Sequence, residues 1–565
     1  MAAHEQQTWS LDSLTNIGHS LTETASRMPD AIAVACPKKG QPKQLPEGRS
    51  FQYDTITFKE LEETSNQFAL GIQQLGIQPG TRMALMVPPG IEFVSCVFGL
   101  FKAGIVTILI DPGMGRKNMI NCLSAAKPVG IVGIRLAHVA RLMFQRRFPD
   151  CKTNVSVGGF FPGCTNAAKF SKFDPAQFQS IPCTREDPAA IIFTTGSTGP
   201  PKGVLYRHRI FIEQSQQIRD YFGIQPGSTD VSGFPLFALF NTAMGTTTVF
   251  PEMDPTRPAQ VYPPNIIDAV NQFKADQSFG SPALWNTVSN YCEKHGIELP
   301  TLMRILTAGA PVPPAVLARI RKIISPAGDA FTPYGATESL PVACNSATVV
   351  LNETAALTNL GAGTCVGQRF PRLDWKVIEI DDAPIANIDA THGLPRGKIG
   401  ELIVRGPVVT DQYVTRTEAN AEHKINDGET FWHRMGDVGY LDNQDRFWFC
   451  GRKGHRVQTE DGVMFTVPCE AIINTHDSVY RSALVGVGEP GHQIPVLIVE
   501  PNPEARTASD TAQQQLLDEI KSLASQHGNT EAIKHFLIHD ALPVDIRHNS
   551  KIFREQLRGW AAVRI

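Results

Sequence analysis

The stretch that constrains this chain most is Ile191 to His208, which reads I-I-F-T-T-G-S-T-G-P-P-K-G-V-L-Y-R-H. A short β-prone run, Ala190 to Phe193, leads into a loop of hydroxyls and glycines, then Pro-Pro-Lys-Gly, and a helical pattern sets in at about Tyr206. Glycines let backbone N–H groups approach an anion closely, and successive unpaired N–H groups in a turn make a concave anion site. Thr194, Thr195, Ser197 and Thr198 add hydroxyl donors, with Gly196 and Gly199 among them, and Lys202 adds a point charge. The stretch therefore predicts a phosphate-binding loop at the end of a strand. It differs from the common P-loop, which needs Gly-Lys-Ser/Thr, because Lys202 stands between Pro201 and Gly203.

The flanking chain supplies a sheet for such a loop. Strands Arg82 to Val87 and Ile105 to Ile110 alternate with helices after Pro89 and near Lys117 to Ala126. That βα alternation predicts an α/β fold, a parallel sheet with helices on both faces. At 565 residues the chain is too long for one core. A net charge of −3 gives no electrostatic case for nucleic acid or an anionic membrane. Eleven scattered cysteines with no C-x-x-C argue against zinc or a disulfide framework and fit the reduced thiols of a cytoplasmic protein. No basic segment followed by an apolar run opens the sequence, so no secretory signal is expected. Residues 1–17 are polar and expected to be mobile. The most membrane-like segment, Phe93 to Ile110, is interrupted by Lys102 and Gly104 and reads as a buried helix followed by a strand, with no transmembrane span.

Four later stretches are informative. In R-I-L-T-A-G-A-P-V-P-P, Arg304 to Pro314, a strand ends in a small-residue loop before a proline-started helix. Ligands of parallel sheets bind beyond such carboxyl ends. The next, F-T-P-Y-G-A-T-E-S-L-P-V, is a turn carrying Glu338; one carboxylate plus phosphates is a usual Mg²⁺ arrangement. A hairpin is predicted around D-N-Q-D, with Asp437 before it and Arg452 ending it. After strands Ser482 to Val487 and Pro495 to Glu500 and a helix Thr511 to Gln526, the chain closes with L-P-V-D-I-R-H-N-S-K, which places Lys551 after a turn. The run F-P-L-F-A-L-F reads equally as a core wall or an apolar tunnel wall, on a strand or a helix.

Together these strings resemble the adenylate-forming (AMP-binding) superfamily of acyl-CoA synthetases, luciferases and peptide-synthetase adenylation domains. The resemblance implies a large adenylation domain over residues 1–451, built of several subdomains with parallel sheets, and a small mobile α+β lid over residues 452–565. It implies ATP and Mg²⁺ as cofactors. In that reading the loop from Thr194 to Lys202 holds the β- and γ-phosphates. Gly309, Ala310 and Pro311 pack against adenine, as does Tyr334 with Gly335 and Ala336 beside it. Thr337 meets the α-phosphate, Glu338 and Thr195 serve Mg²⁺, and Asp437 and Arg452 hold the ribose. Phe237, Phe240, Gly309 and Leu340 line the acyl pocket. Lys551 is the implied catalytic lysine, acting with Glu338 and Thr195.

The chain departs from most of that superfamily at the hinge, where it reads Arg452-Lys453-Gly454-His455-Arg456 instead of placing Lys-Asp or Lys-Glu after the arginine. This wording belongs to a narrower resemblance, to the β-lactone synthetases of olefin biosynthesis. The strings G-V-L-Y-R-H-R, F-P-L-F-A-L-F, P-E-M-D-P-T-R-P-A, P-Y-G-A-T-E-S-L-P-V, F-C-G-R-K-G-H-R-V and P-V-D-I-R-H-N-S-K carry it. It implies adenylation of a long-chain β-hydroxy acid, then attack by the acid's own hydroxyl to give a β-lactone, AMP and pyrophosphate without CoA. It also implies work beside a condensing enzyme, a reductase and a β-lactone decarboxylase. The competing readings are a long-chain acyl-CoA ligase and a silent acyl- or nucleotide-binding protein.

Overall fold

The computed structural model describes residues 11–194, 199–506, 509–545 and 551–565. The strand Pro188–Phe193, which leads into the predicted phosphate loop, belongs to a seven-stranded sheet. It lies parallel to Val106–Leu109, which lies parallel to Arg82–Met86, which in turn lies parallel to Gly130–Gly133. Parallel strands bring their carboxyl ends to one edge, and the loop after Phe193 leaves from that edge, as expected. The chain returns from the loop as a further strand, Gly203–Arg207, antiparallel to Pro188–Phe193. The helix expected from about Tyr206 therefore starts at His208 and runs to Phe222. The reason is local: Val204 and Tyr206 pair across the hairpin with Ile192 and Ala190, and both are buried.

A second sheet of fourteen strands carries the remaining predicted stretches. Its first half is mostly parallel and includes Thr229–Ser232, Gln277–Gly280, Arg304–Thr307 and Asp329–Ala336. At Thr337-Glu338 the chain turns back as Ser339–Ser346, and beyond this hairpin the ladder is antiparallel through Thr364–Arg369, Arg446–Arg452, Thr430–Leu441 and Gly400–Arg405. The parallel expectation thus holds up to this turn. Hairpins at Thr337-Glu338 and between Thr430–Leu441 and Arg446–Arg452 force antiparallel pairing there, while helices Ala347–Val349 and Ala355–Asn359 join Ser339–Ser346 to its antiparallel neighbour Thr364–Arg369.

The apolar helix expected after Pro89 spans Ile91–Lys102 and is buried on nearly every side. No helix among the described residues is long and apolar enough to cross a membrane. Lys102 at its end is fully buried and bonded, its Nζ donating to Glu62 at 2.5 Å, Ser65 Oγ at 2.8 Å and Asn66 Oδ1 at 2.7 Å. A buried ammonium needs such a complete set of acceptors.

The expectation of a mobile start is corrected for residues 11–17. Leu11, Leu14 and Ile17 are buried and belong to the main core. Asn16 Nδ2 donates to the Phe101 carbonyl at 2.8 Å, and the Ile17 amide donates to His208 Nδ1 at 3.2 Å. Burial pushes the His208 pKa down to about 4, which keeps that nitrogen available as an acceptor.

After Arg452 the strands belong to other sheets. Val479–Val487 and Ile494–Pro501 pair antiparallel, and His535–Ile538 adds parallel to the second. Helices Thr466–Ile473 and Asp510–Ala524 pack on them around Leu484, Leu497 and Ile520. The expected strands and helix of this α+β unit are all present, within a few residues of their predicted ends.

Candidate active site

The predicted phosphate loop is closed at its neck by two reciprocal bonds. The Thr194 amide donates to the Lys202 carbonyl at 3.0 Å, and the Lys202 amide donates to Thr194 Oγ1 at 3.1 Å. Thr195, Gly196, Ser197 and Thr198 lie outside the described residues. Gly199 takes φ +113°, a conformation that a side chain would strain.

Lys202 Nζ donates to His423 Nε2 at 2.8 Å and lies 4.9 Å from the centre of the Tyr413 ring. An ammonium has no lone pair, so His423 must accept here. Burial first, and the Lys202 charge second, push the His423 pKa down to about 3, so the ring stays neutral. Burial also lowers the Lys202 pKa, while Glu338 and Glu422 oppose that shift.

Glu338 stands at the turn of the hairpin formed by Asp329–Ala336 and Ser339–Ser346. The Tyr413 hydroxyl donates to Glu338 Oε1 at 2.6 Å, and Oε2 has no hydrogen bond among the described residues. The turn is clamped from two directions. Tyr206 Oη donates to the Thr337 carbonyl at 2.7 Å, and the Thr410 amide donates to the Glu338 carbonyl at 2.9 Å. Segment 410–415 also runs along the strand Gly203–Arg207: the Leu205 amide donates to the Gln412 carbonyl at 3.0 Å, and the Gly203 amide donates to Thr415 Oγ1 at 2.7 Å. One segment thus ties the strand Gly203–Arg207 to Glu338 and delivers Tyr413 to that carboxylate.

Asp437 and Arg452 are directly opposed in the predicted hairpin. Asp437 is buried; one oxygen accepts from Arg452 Nη1 at 2.6 Å and the other from the Tyr334 hydroxyl. Burial and this carboxylate hold the Tyr334 phenol well above the usual tyrosine range, so it remains a donor. Asp437 in turn raises the pKa of Arg452. Arg452 Nε is buried and has no partner among the described residues. Glu338 acts electrostatically on both Lys202 and Arg452, so the two clusters share one field.

The other predicted residues surround these. Gly309, Ala310 and Pro311 follow the strand Arg304–Thr307 at its carboxyl end, beside the parallel strand that carries Tyr334, Gly335 and Ala336. The phenylalanine-rich run resolves as a helix, Phe237–Met244. Phe237 is buried and stacks on Phe279 with centroids 4.2 Å apart, and Phe240 packs at 5.7 Å from Phe237. The Leu340 carbonyl accepts from Gln214 Nε2 at 2.8 Å.

Lys551 lies in the last unit, where its amide donates to Asp545 Oδ1 at 3.0 Å and its carbonyl accepts from the Asp545 amide at 3.0 Å. The linker to that unit is anchored. Lys453 Nζ donates to the Asp381 carbonyl at 2.9 Å and to Glu401 Oε2 at 3.2 Å, and Arg456 pairs with Asp382 at 2.5 Å.

Tyr413 and His423 were not anticipated from the sequence. Both stand in a stretch without glycine loops or turn signals, and only their long-range partners single them out.

A protein-family model described as AMP-binding enzyme matches residues 21–414. An olefin beta-lactone synthetase of Stenotrophomonas maltophilia (strain K279a) is 44% identical over 557 residues, covering 97% of this chain and 98% of that protein. A long-chain-fatty-acid–CoA ligase of Salmonella typhimurium (strain LT2) is 24% identical over 487 residues, covering 80% of this chain and 82% of that protein. Among solved structures, an anthranilate CoA ligase in complex with anthranoyl-AMP superposes with a TM-score of 0.78 at 17% identity, over 98% of this chain and 99% of that one.

Proposed function

We infer that the chain, which belongs to the AMP-binding enzyme family, uses ATP to adenylate a long-chain β-hydroxy acid and closes the product to a β-lactone. The observation that carries this reading is 44% identity along nearly the whole length to an olefin beta-lactone synthetase, against 24% to a long-chain CoA ligase.

The geometry accommodates the chemistry. A carboxylate is a poor electrophile until its oxygen is joined to phosphorus. In the first step a carboxylate oxygen bonds to the α-phosphorus of ATP and pyrophosphate leaves. In the second, the β-hydroxyl oxygen bonds to the acyl carbon, the bond from that carbon to the phosphate oxygen breaks, AMP leaves and the hydroxyl proton is released. An internal nucleophile makes this second step unimolecular. The protein has to align groups and neutralise charge.

We assign Lys202 and the loop from Thr194 to Gly199 to the β- and γ-phosphates. Glu338, with one oxygen held by Tyr413 and the other unbonded among the described residues, suits Mg²⁺ shared with those phosphates. Mg²⁺ would supply charge neutralisation on the phosphates. Asp437 and Arg452 take the ribose; the orphaned Arg452 Nε is a donor that a nucleotide oxygen would satisfy. Lys551 neutralises the transferring oxygens, and we take residues 452–565 as the lid that delivers it. A cytoplasmic setting, beside the enzymes that make the hydroxy acid and decarboxylate the lactone, fits this reading and the eleven free cysteines.

His423 we assign as a positioning residue for Lys202. His423→Leu is expected to raise KM for ATP about tenfold with little change in kcat, the loss of one hydrogen bond to a charged group. His423→Gln keeps an acceptor and should restore most of the affinity. If the leucine variant matches wild type, the bond to Lys202 plays no part in ATP binding.

The reaction itself is tested by mixing protein, Mg-ATP and racemic long-chain β-hydroxy acid, with and without CoA, and identifying products by NMR at low temperature. A β-lactone formed without CoA is expected. A thioester formed only with CoA would instead make the enzyme an acyl-CoA ligase.

A further inference from the structure

The whole-chain charge of −3 conceals one strongly basic region. Between residues 112 and 160 the sequence carries eight Lys or Arg and a single acid, Asp150. The same region holds a concentration of exposed apolar side chains. Helix Arg135–Met143 presents Leu136 at 72% exposure, Val139 at 43% and Met143 at 73%, positions that fall on one stripe of its surface. Leu142 and Phe144 beside them are also exposed. The buried side of the helix is held by His138, whose Nε2 lies 3.0 Å from the Val155 carbonyl and whose ring packs 5.4 Å from Phe161.

The neighbouring residue, Phe160, points outward at 68% exposure from a Gly-Gly-Phe-Phe-Pro-Gly loop, in which Gly158 and Gly159 adopt φ +75° and +144°. Arg135, Arg146 and Arg147 are exposed at the two ends of the helix. The helix follows strand Gly130–Gly133, whose carboxyl end lies on the same sheet edge as the phosphate loop.

We propose that helix Arg135–Met143, the 158–163 loop and the flanking arginines form a peripheral contact surface for an anionic lipid membrane. Apolar side chains on one stripe enter the interfacial layer, while arginines snorkel to lipid phosphates. The basic excess favours anionic headgroups and makes the contact sensitive to salt. A soluble acidic partner would satisfy the arginines but leaves an outward phenylalanine on a glycine-rich tip unexplained. The proposal is independent of the reaction assigned above.

The test is sedimentation of the full-length protein with phosphatidylcholine vesicles, with and without 30% phosphatidylglycerol. Binding is expected only to the anionic vesicles and should fall as salt is raised. Arg146→Gln with Arg147→Gln should weaken binding by about 25-fold, about fivefold per arginine. Leu136→Ser with Met143→Ser should weaken it at least tenfold. A Phe160→Trp variant should shift its emission to the blue on anionic vesicles, the signature of insertion.

All of these residues are exposed, so the variants should keep the wild-type melting temperature. Absence of wild-type binding to anionic vesicles at low salt would overturn the proposal, as would binding indifferent to both double variants. Self-association that the same variants abolish, without vesicle binding, would assign the surface to a second copy of the chain and overturn it equally.

Discussion

Lys551→Ala is expected to lower the rate of adenylate formation by about 10²–10³-fold while leaving ATP affinity within about twofold. The magnitude is that of removing one charged donor aimed at oxygens whose charge develops in the transition state. Binding should survive because the nucleotide contacts assigned above, Lys202, Glu338, Asp437 and Arg452, all stand in other strands and loops. The fold should survive as well. Lys551 is only partly buried, and its two main-chain bonds with Asp545 use atoms that alanine retains. Pyrophosphate exchange measures the first half-reaction, and calorimetric titration with ATP measures binding. Supplying a chemically made acyl-adenylate then isolates ring closure, which should run at near wild-type rate. Unimpaired pyrophosphate exchange in this variant would remove Lys551 from the reaction.

Asp437→Ala should behave in the opposite way, with a rise in KM for ATP of about 100-fold or more and a clear loss of stability. The carboxylate accepts from Tyr334 and Arg452 at once and is itself buried, so alanine leaves a phenol and a guanidinium without their acceptor. Breaking such a pair costs about 2–3 kcal/mol, discounted for the partial exposure of Arg452. Two arms separate structure from binding. Asp437→Asn preserves shape and one acceptor, so it should recover much of the stability but little of the ATP affinity, because its NH₂ presents a donor where ribose hydroxyls need an acceptor. A variant that melts lower yet binds ATP normally would make the Asp437–Arg452 pair purely structural.

Legibility followed the range of the interactions. The phosphate loop, the turn at Glu338 and the hairpin that faces Asp437 with Arg452 are each made within a few tens of residues. Glycine, proline and hydroxyl side chains act locally on backbone geometry, so their spacing reports the shape directly. The helix His208–Phe222 starts two residues beyond the point where the helical pattern sets in, because V-L-Y-R forms a strand only when Ile192 and Ala190 lie beside it. Residues 11–17 read as a polar start for the same reason: Leu11, Leu14 and Ile17 look sparse until distant parts of the main core bury them. A charge averaged over the chain also hid the basic, apolar face around Arg135–Met143.

By itself the sequence determined the family, the α/β class and the short strings to which we assign phosphate, ribose and metal contacts. The chemistry of those strings is local. Only the tertiary structure decided that segment 410–415 lies along Gly203–Arg207, more than 200 residues away in sequence. It also decided that Tyr413 therefore reaches Glu338, and that His423 reaches Lys202. Contacts of that separation are set when distant segments pack together, where burial selects the partners and no local propensity records the choice.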